Sequence, residues 1–271
     1  MDGETSLAWP GQTLPTSGGL VFVRHRPGAE PHLEPALFVH GLGGESLDWV
    51  DVAGMLADRV DAHALDLPGF GDSPPPRDGD LSLDGHARAV AGVVRSIGRG
   101  PCHLIGNSLG GAVTLRVAAD HPELVRSLTL ISPAMPDLRP RFWSTQLTIA
   151  LVPVLGPWLV RSALRGDPER MARRIYALCY GDPAAVTADR HARELASLRR
   201  RAELAHSAKV YRSSLRAVVS SYVQRGPRRL WRQAANVDVP TLLIYGGRDK
   251  LVDPRMAARA QATFPSTQLV L

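Results

Sequence analysis

The chain has 271 residues, 44% hydrophobic and 21% charged, a balance that suits one globular unit and excludes a disordered or fibrous protein. It opens acidic, Met1-Asp2-Gly3-Glu4, with no apolar stretch behind, which argues against a secretory leader and makes a cytoplasmic protein the expectation. The formal charge of +6 is carried by arginine, Lys209 and Lys250 being the two lysines.

Short apolar runs alternate with amphipathic stretches through the first half. Leu20-Val21-Phe22-Val23 reads as a strand, and Ala36-Leu37-Phe38-Val39 as a buried one that ends at His40-Gly41. Leu47 to Leu56 has helical spacing, and Ala62-His63-Ala64-Leu65 is a strand leading into Asp66-Leu67-Pro68-Gly69. Residues 81–97 form an amphipathic helix. Strand Cys102-His103-Leu104-Ile105, a helix from Leu109 to Ala119 and strand Leu128-Thr129-Leu130-Ile131 follow. This alternation predicts an α/β fold, a mostly parallel sheet with helices on both faces. Cys102 falls in a core strand, so the two cysteines, Cys102 and Cys179, are expected to be buried thiols. No Cys/His cluster has zinc spacing, so no metal is expected.

The alternation breaks after Ser132-Pro133. Residues 137–237 are helix-like and arginine-rich, with 19 Lys+Arg against 7 Asp+Glu, whereas the rest of the chain has 13 against 19. Such asymmetry suits anionic partners, a membrane surface or nucleic acid, but arginines on solvated helix faces explain it more simply. No groove-reading motif accompanies it, so no nucleic-acid partner is expected. The run from Phe142 to Val160 approaches the length of a membrane span, but Pro153 and Pro157 interrupt it. It reads instead as a lid helix and turn lining an apolar pocket, with Trp143, Trp158 and Met171 either touching substrate or packing the lid's own core. A basic lid with an apolar inner face also allows peripheral contact with anionic lipid. Strand Pro240 to Tyr245, a helix near 254–264 and a last strand, Thr267 to Leu271, resume the sheet pattern. The expected organisation is therefore a core of residues 1–136 and 238–271, split by a helical cap of residues 137–237.

Three motifs carry chemistry. Gly106-Asn107-Ser108-Leu109-Gly110-Gly111 sits between an apolar strand and a helix rich in small residues. A serine there stands on a sharp strand-to-helix turn, its hydroxyl lifted from the sheet beside a helix N-terminus. The alternative is a serine that only caps the helix. His40-Gly41-Leu42-Gly43-Gly44 follows a buried strand, where a loop presents a backbone N–H beside the nucleophile. The amides of Leu42 and Leu109 then form an oxyanion hole, with His40 and Gly41 at the pocket edge. Third, Tyr245-Gly246-Gly247-Arg248-Asp249 ends a late strand at the edge where catalytic groups of open α/β sheets collect. Asp249 reads as the acid of a triad or as a turn and helix-capping aspartate, although Asp253 before Pro254 is the better cap.

These motifs, with Asp66-Leu67-Pro68-Gly69-Phe70-Gly71-Asp72-Ser73, resemble the α/β-hydrolase superfamily, most of all its esterase-like and carbon–carbon bond hydrolase branches with a helical cap. The resemblance implies an α/β-hydrolase fold, a Ser108/Asp249/histidine triad, an acyl-enzyme on Ser108 and no cofactor. The family places its histidine after the last strand, yet none of the nine histidines follows Asp249. Truncation of a longer protein is the leading expectation; a natural non-catalytic remnant that binds a ligand is the alternative. Ester hydrolysis of a small acyl substrate is the expected reaction. Asn107 leans toward carbon–carbon bond hydrolysis of a ketone. The oligomeric state is not specified by these motifs.

Overall fold

A computed structural model describes residues 9–137 and 155–271, without the side chains of 155–159. Eight strands form one sheet: β1 (Gly11–Thr16), β2 (Gly19–Arg26), β3 (Pro35–Val39), β4 (Asp61–Leu65), β5 (Cys102–Asn107), β6 (Val125–Ile131), β7 (Thr241–Ile244) and β8 (Thr267–Val270). Their order is β1-β2-β4-β3-β5-β6-β7-β8. β1 pairs with β2 and β2 with β4 antiparallel; the remaining pairs are parallel. The fold is therefore the mostly parallel α/β sheet that the alternation predicts.

Period-two alternation sends successive side chains to opposite faces of the sheet. Leu37, Val39 and Leu65 join the larger apolar core with helices α2 (Leu83–Ile97) and α3 (Leu109–Asp120). Ala36, Phe38, Ala62 and Ala64 join a smaller core with Trp49, Val50 and Ala53, the last two on the short helix α1 (Val50–Met55). Ser82 caps α2 by accepting from the Gly85 amide, and Gly98 ends it at φ 67°. Such a left-handed C-terminal position favours glycine. Helix α3 is buried on all sides from Leu109 to Ala118, Arg116 included.

Two elements differ from the sequence pattern. Strand β1 escapes it because its side chains are mostly exposed and Pro15 interrupts the run; hydrogen bonds to β2, not apolar alternation, define it. Cys102 is buried, and burial pushes its thiol up to about 12. Cys179 is exposed, which corrects the expectation of two buried thiols. It sits in the last turn of a cap helix that turns an outer face to solvent.

Between β6 and β7 the described residues hold helices and no strand: α4 (Leu155–Leu164), α5 (Pro168–Cys179), α6 (Ala188–Glu203), α7 (Ser207–Ser221) and α8 (Leu230–Ala234). Helix α9 (Met256–Thr263) then connects β7 to β8. Among the described residues no helix is long and apolar enough to cross a membrane. Phe142 to Val154, including Trp143, lie outside the described residues; Trp158 lies on α4 but its side chain does not belong to the description. Met171 packs with Ala172, Tyr176 and Leu198 in the cap's own small core.

Candidate active site

Parallel strands bring their carboxyl ends to one rim. Asn107, Ile131 and Ile244 stand in register across β5, β6 and β7, so the loops after these strands begin side by side, roughly 5 Å apart from strand to strand. Ser108, Ser132 and the turn that holds Asp249 all leave from this row. The loop after β3, which begins at His40, leaves from the same rim, because Val39 pairs with Gly106.

Ser108 has φ 50° and ψ −113° and makes no hydrogen bond as a helix cap. Its capping reading therefore fails. A non-glycine residue in this region costs on the order of 1–3 kcal/mol and persists only where its surroundings fix it. Here they do. The Ser108 amide donates to Ile131 O at 3.0 Å, and Ser108 O accepts from the amides of Ala112 and Ala134 at 3.1 and 2.9 Å. The flanking glycines are required by contact. A Cβ at Gly106 would lie 2.5 Å from Gly110 O and Thr114 Oγ1, and one at Gly110 would lie 2.2 Å from Val39 O.

Leu109 begins α3, so its N–H is among the first-turn amides that have no partner within a helix. The loop after β3 lies against the turn: a Cβ at Gly41 would lie 3.4 Å from Ser108 Cβ and 2.9 Å from Asn107 Oδ1. Buried His40 fixes this loop. Its Nε2 accepts from the Leu67 amide at 2.9 Å, so Nδ1 carries the proton and donates to Gly41 O at 2.7 Å. With both nitrogens engaged, His40 positions the loop and is not a free base. Leu42 packs against Val160, Leu215 and Tyr211 of the cap.

The Asp66 loop braces the same structure. Asp66 accepts from the amides of Ser46 at 2.5 Å and Asp72 at 2.8 Å, and Ser73 Oγ donates to Asp66 O at 2.6 Å. Burial pushes the Asp66 carboxyl up, against the pull of these two amides.

Asp249 lies five residues beyond Ile244. Its Oδ1 accepts from the amides of Leu251 and Val252 at 2.8 and 2.9 Å, which orients the carboxylate as a turn cap. Asp253 accepts from the Arg255 amide at 3.0 Å and so holds the turn ahead of α9, whose N-cap position is Arg255. Asn107, by contrast, turns its Nδ2 back to Ile131 O at 3.1 Å. It holds β5 to β6, and its amide nitrogen gives no specific support to carbon–carbon chemistry.

Sequence reasoning missed three features. Ser132, at the end of β6, has φ 40°; a residue before proline normally stays extended, so nothing in the sequence signals it. Tyr211 and Arg201 come down from the cap onto the glycine loop. A Cβ at Gly43 would lie 3.3 Å from Tyr211 Cε2 and 3.4 Å from Arg201 Nη1. Beside them is a small cleft between Glu45, Gly69, Phe70 and Gly71 of the core and Ser197, Arg200, Arg201, Leu204, Ser207 and Tyr211 of the cap. Ser108 is not in its wall.

Among the described residues, which include all nine histidines, none hydrogen-bonds Ser108. His86 is fully buried and meets Ser214 of α7 at 3.1 Å. His191 meets Tyr176 and Glu169 within the cap. His25, His63 and His103 lie on strands, engaged with Asp61 or Glu34.

The chain is similar to known proteins in sequence and fold. Lipase 3 of Moraxella sp. (strain TA144) is 25% identical over 242 residues, 88% of this chain and 70% of its own. A pimeloyl-[acyl-carrier protein] methyl ester esterase of Aeromonas hydrophila is 38% identical over 96 residues, but these are 35% of this chain and 36% of that protein. The solved meta-cleavage product hydrolase from Pseudomonas fluorescens IP01 superposes with a TM-score of 0.72 at 17% identity, over 96% of this chain and 88% of that one. The family model described as alpha/beta hydrolase fold matches residues 35–271, and the chain belongs to that family.

Proposed function

We propose that the chain is a serine hydrolase of small carboxylic esters, with Ser108 as nucleophile. The observation that carries this reading is the strained backbone of Ser108, held at the start of α3 with Gly41 against its Cβ. An acyl carbonyl placed there meets the hydroxyl on one side and the amides of Leu109 and Leu42 on the other. Those donors stabilise charge that appears only as the tetrahedral intermediate forms. Attack by Ser108 Oγ expels the alcohol and leaves an acyl-enzyme; water then releases the acid. Asp249, oriented by two turn amides, serves the histidine base of such a triad, which takes the Ser108 proton and returns it to the leaving alcohol. The ester-acting relatives support an ester substrate over a ketone.

The test is hydrolysis of p-nitrophenyl esters of increasing acyl length, using the protein at the length its source makes. Ser108→Ala is expected to lower kcat at least about 10³-fold. Asp249→Asn should cost about 10³- to 10⁴-fold by leaving the base misoriented. Unchanged turnover in Ser108→Ala removes the reading; turnover of a vinylogous diketone in preference to every ester replaces the substrate class.

A further inference from the structure

Far from Ser108, at the opposite rim of the sheet, three metal-ligating side chains converge. His25 of β2 stands directly opposite His63 of β4 in the antiparallel register. Asp61 precedes His63 by two residues on the same strand, so both point to the same face. Their ligand atoms lie within 4.8 Å of one another, and the two imidazoles stack with centroids 4.2 Å apart. His25 Nε2 is 2.9 Å from Asp61 Oδ1, and His63 Nε2 is 3.3 Å from Asp61 Oδ2. The His63 and Asp61 side chains are 12% and 8% exposed and that of His25 is 38% exposed, which leaves solvent one way in.

We propose that His25, Asp61 and His63 bind a divalent transition-metal ion of the zinc type, with water completing a four-coordinate shell. Two imidazole nitrogens and a carboxylate oxygen form a donor set that zinc accepts at about 2.0–2.2 Å. The ion replaces the contacts between the carboxylate and the two rings, whose nitrogen–oxygen separations of 2.9 and 3.3 Å are close to the roughly 3.4 Å between ligand atoms around a tetrahedral ion. Cross-strand pairing supplies the preorganisation, since residues directly opposite on antiparallel strands keep their Cβ atoms about 5 Å apart.

Arg99 is the competitor. Its Nη1 lies 2.7 Å from Asp61 Oδ2, while Nη2 holds Pro31 O and Leu33 O. The ion displaces only the first contact, and Arg99 remains anchored by the other two.

The experiment is calorimetric titration of the full chain with zinc chloride near neutral pH, after EDTA treatment and desalting. A Cys179→Ser background removes the exposed thiol. One ion per chain is expected, with a dissociation constant in the micromolar range. His25→Ala and His63→Ala should each weaken binding at least about tenfold, and Arg99→Gln should tighten it. Zinc should also raise the melting temperature of the parent and not of the histidine variants. His25 is partly exposed, so its variant carries the test if His63→Ala fails to fold. No saturable uptake, or equal uptake in the parent and a folded histidine variant, overturns the proposal.

Discussion

The sheet core and the helices between β6 and β7 share one apolar core, but the sheet adds close backbone packing and the helices add arginine pairs. Residues of β3, β5, β6 and β7 such as Leu37, Phe38, Leu104, Leu128 and Leu243 are fully buried, and backbone contacts at Gly106 and Gly110 leave no room for a methyl group. The cap has two small apolar clusters of its own, sends Val210, Ala217, Val218, Leu230 and Trp231 into the main apolar core, and adds arginine pairs to core carboxylates. Arg193 pairs with Asp51 at 2.6 Å, Arg190 with the same carboxylate at 3.5 Å, and Arg200 with Glu45 and with Asp72, the latter at 3.0 Å. Arg228, just before α8, bridges Asp84 and Asp120. Much of the cap's positive excess thus faces the acidic core. Close backbone packing sets the Ser108 turn, and apolar contact together with charge pairs seats the helices between β6 and β7.

This contrast can be broken first where packing is tightest. Gly110→Ala forces a Cβ against Val39 O and His40 O and should destabilise the chain by about 3 kcal/mol or more, read as a shifted denaturant midpoint. If the variant is as stable as the parent, the close approach of α3 to β3 is wrong.

Arg116 sharpens the comparison, because it is an arginine placed in the packed core. Its side chain is fully buried, donating to Gln224 and to Arg228 O at 3.0 Å and pairing with Asp84 at 3.2 Å. Desolvation lowers its pKa. Arg116→Ala should cost about 3 kcal/mol, far more than loss of an exposed cap arginine.

His86 tests the seam between the two regions. Burial pushes its imidazole down from 6.5 to about 3. Below about pH 6.5 the unfolded chain takes up a proton that the folded chain refuses. Stability therefore falls with falling pH by up to about 1.4 kcal/mol per unit, until the folded group titrates. His86→Phe should flatten this part of the pH–stability curve, measured by denaturant unfolding; an unchanged slope would place His86 in water.

The smallest effect belongs to the cap clamps. Arg193→Ala should cost at most about 1 kcal/mol, and the loss should shrink in high salt. Faster proteolysis within α6, with little change in global unfolding, is the expected readout.

What was legible in the sequence follows the same division. The Ser108 turn, the glycine loop and seven of the eight strands are local patterns of glycine spacing and apolar runs. Features made by distant contacts were not legible. Strand β1 exists through pairing with β2, Ser132 is bent by its place beside Ser108, and Tyr211 and Arg201 reach Gly43 only because α6 and α7 fold back. Cys179 was misread because the cap's outer helix faces have no apolar alternation that distinguishes an exposed thiol from a buried one.

The central claim is that backbone strain and the two loop amides make Ser108 the reactive serine of this chain. The most direct measurement is peptide mapping by mass spectrometry after treatment with a fluorophosphonate, on the protein at the length its source makes. The account predicts one adduct, on Ser108, with Ser132 unmodified despite its similar φ, and no adduct in Ser108→Ala. Equal labelling of the Ser108→Ala variant, or an adduct mapped to another serine, would contradict it.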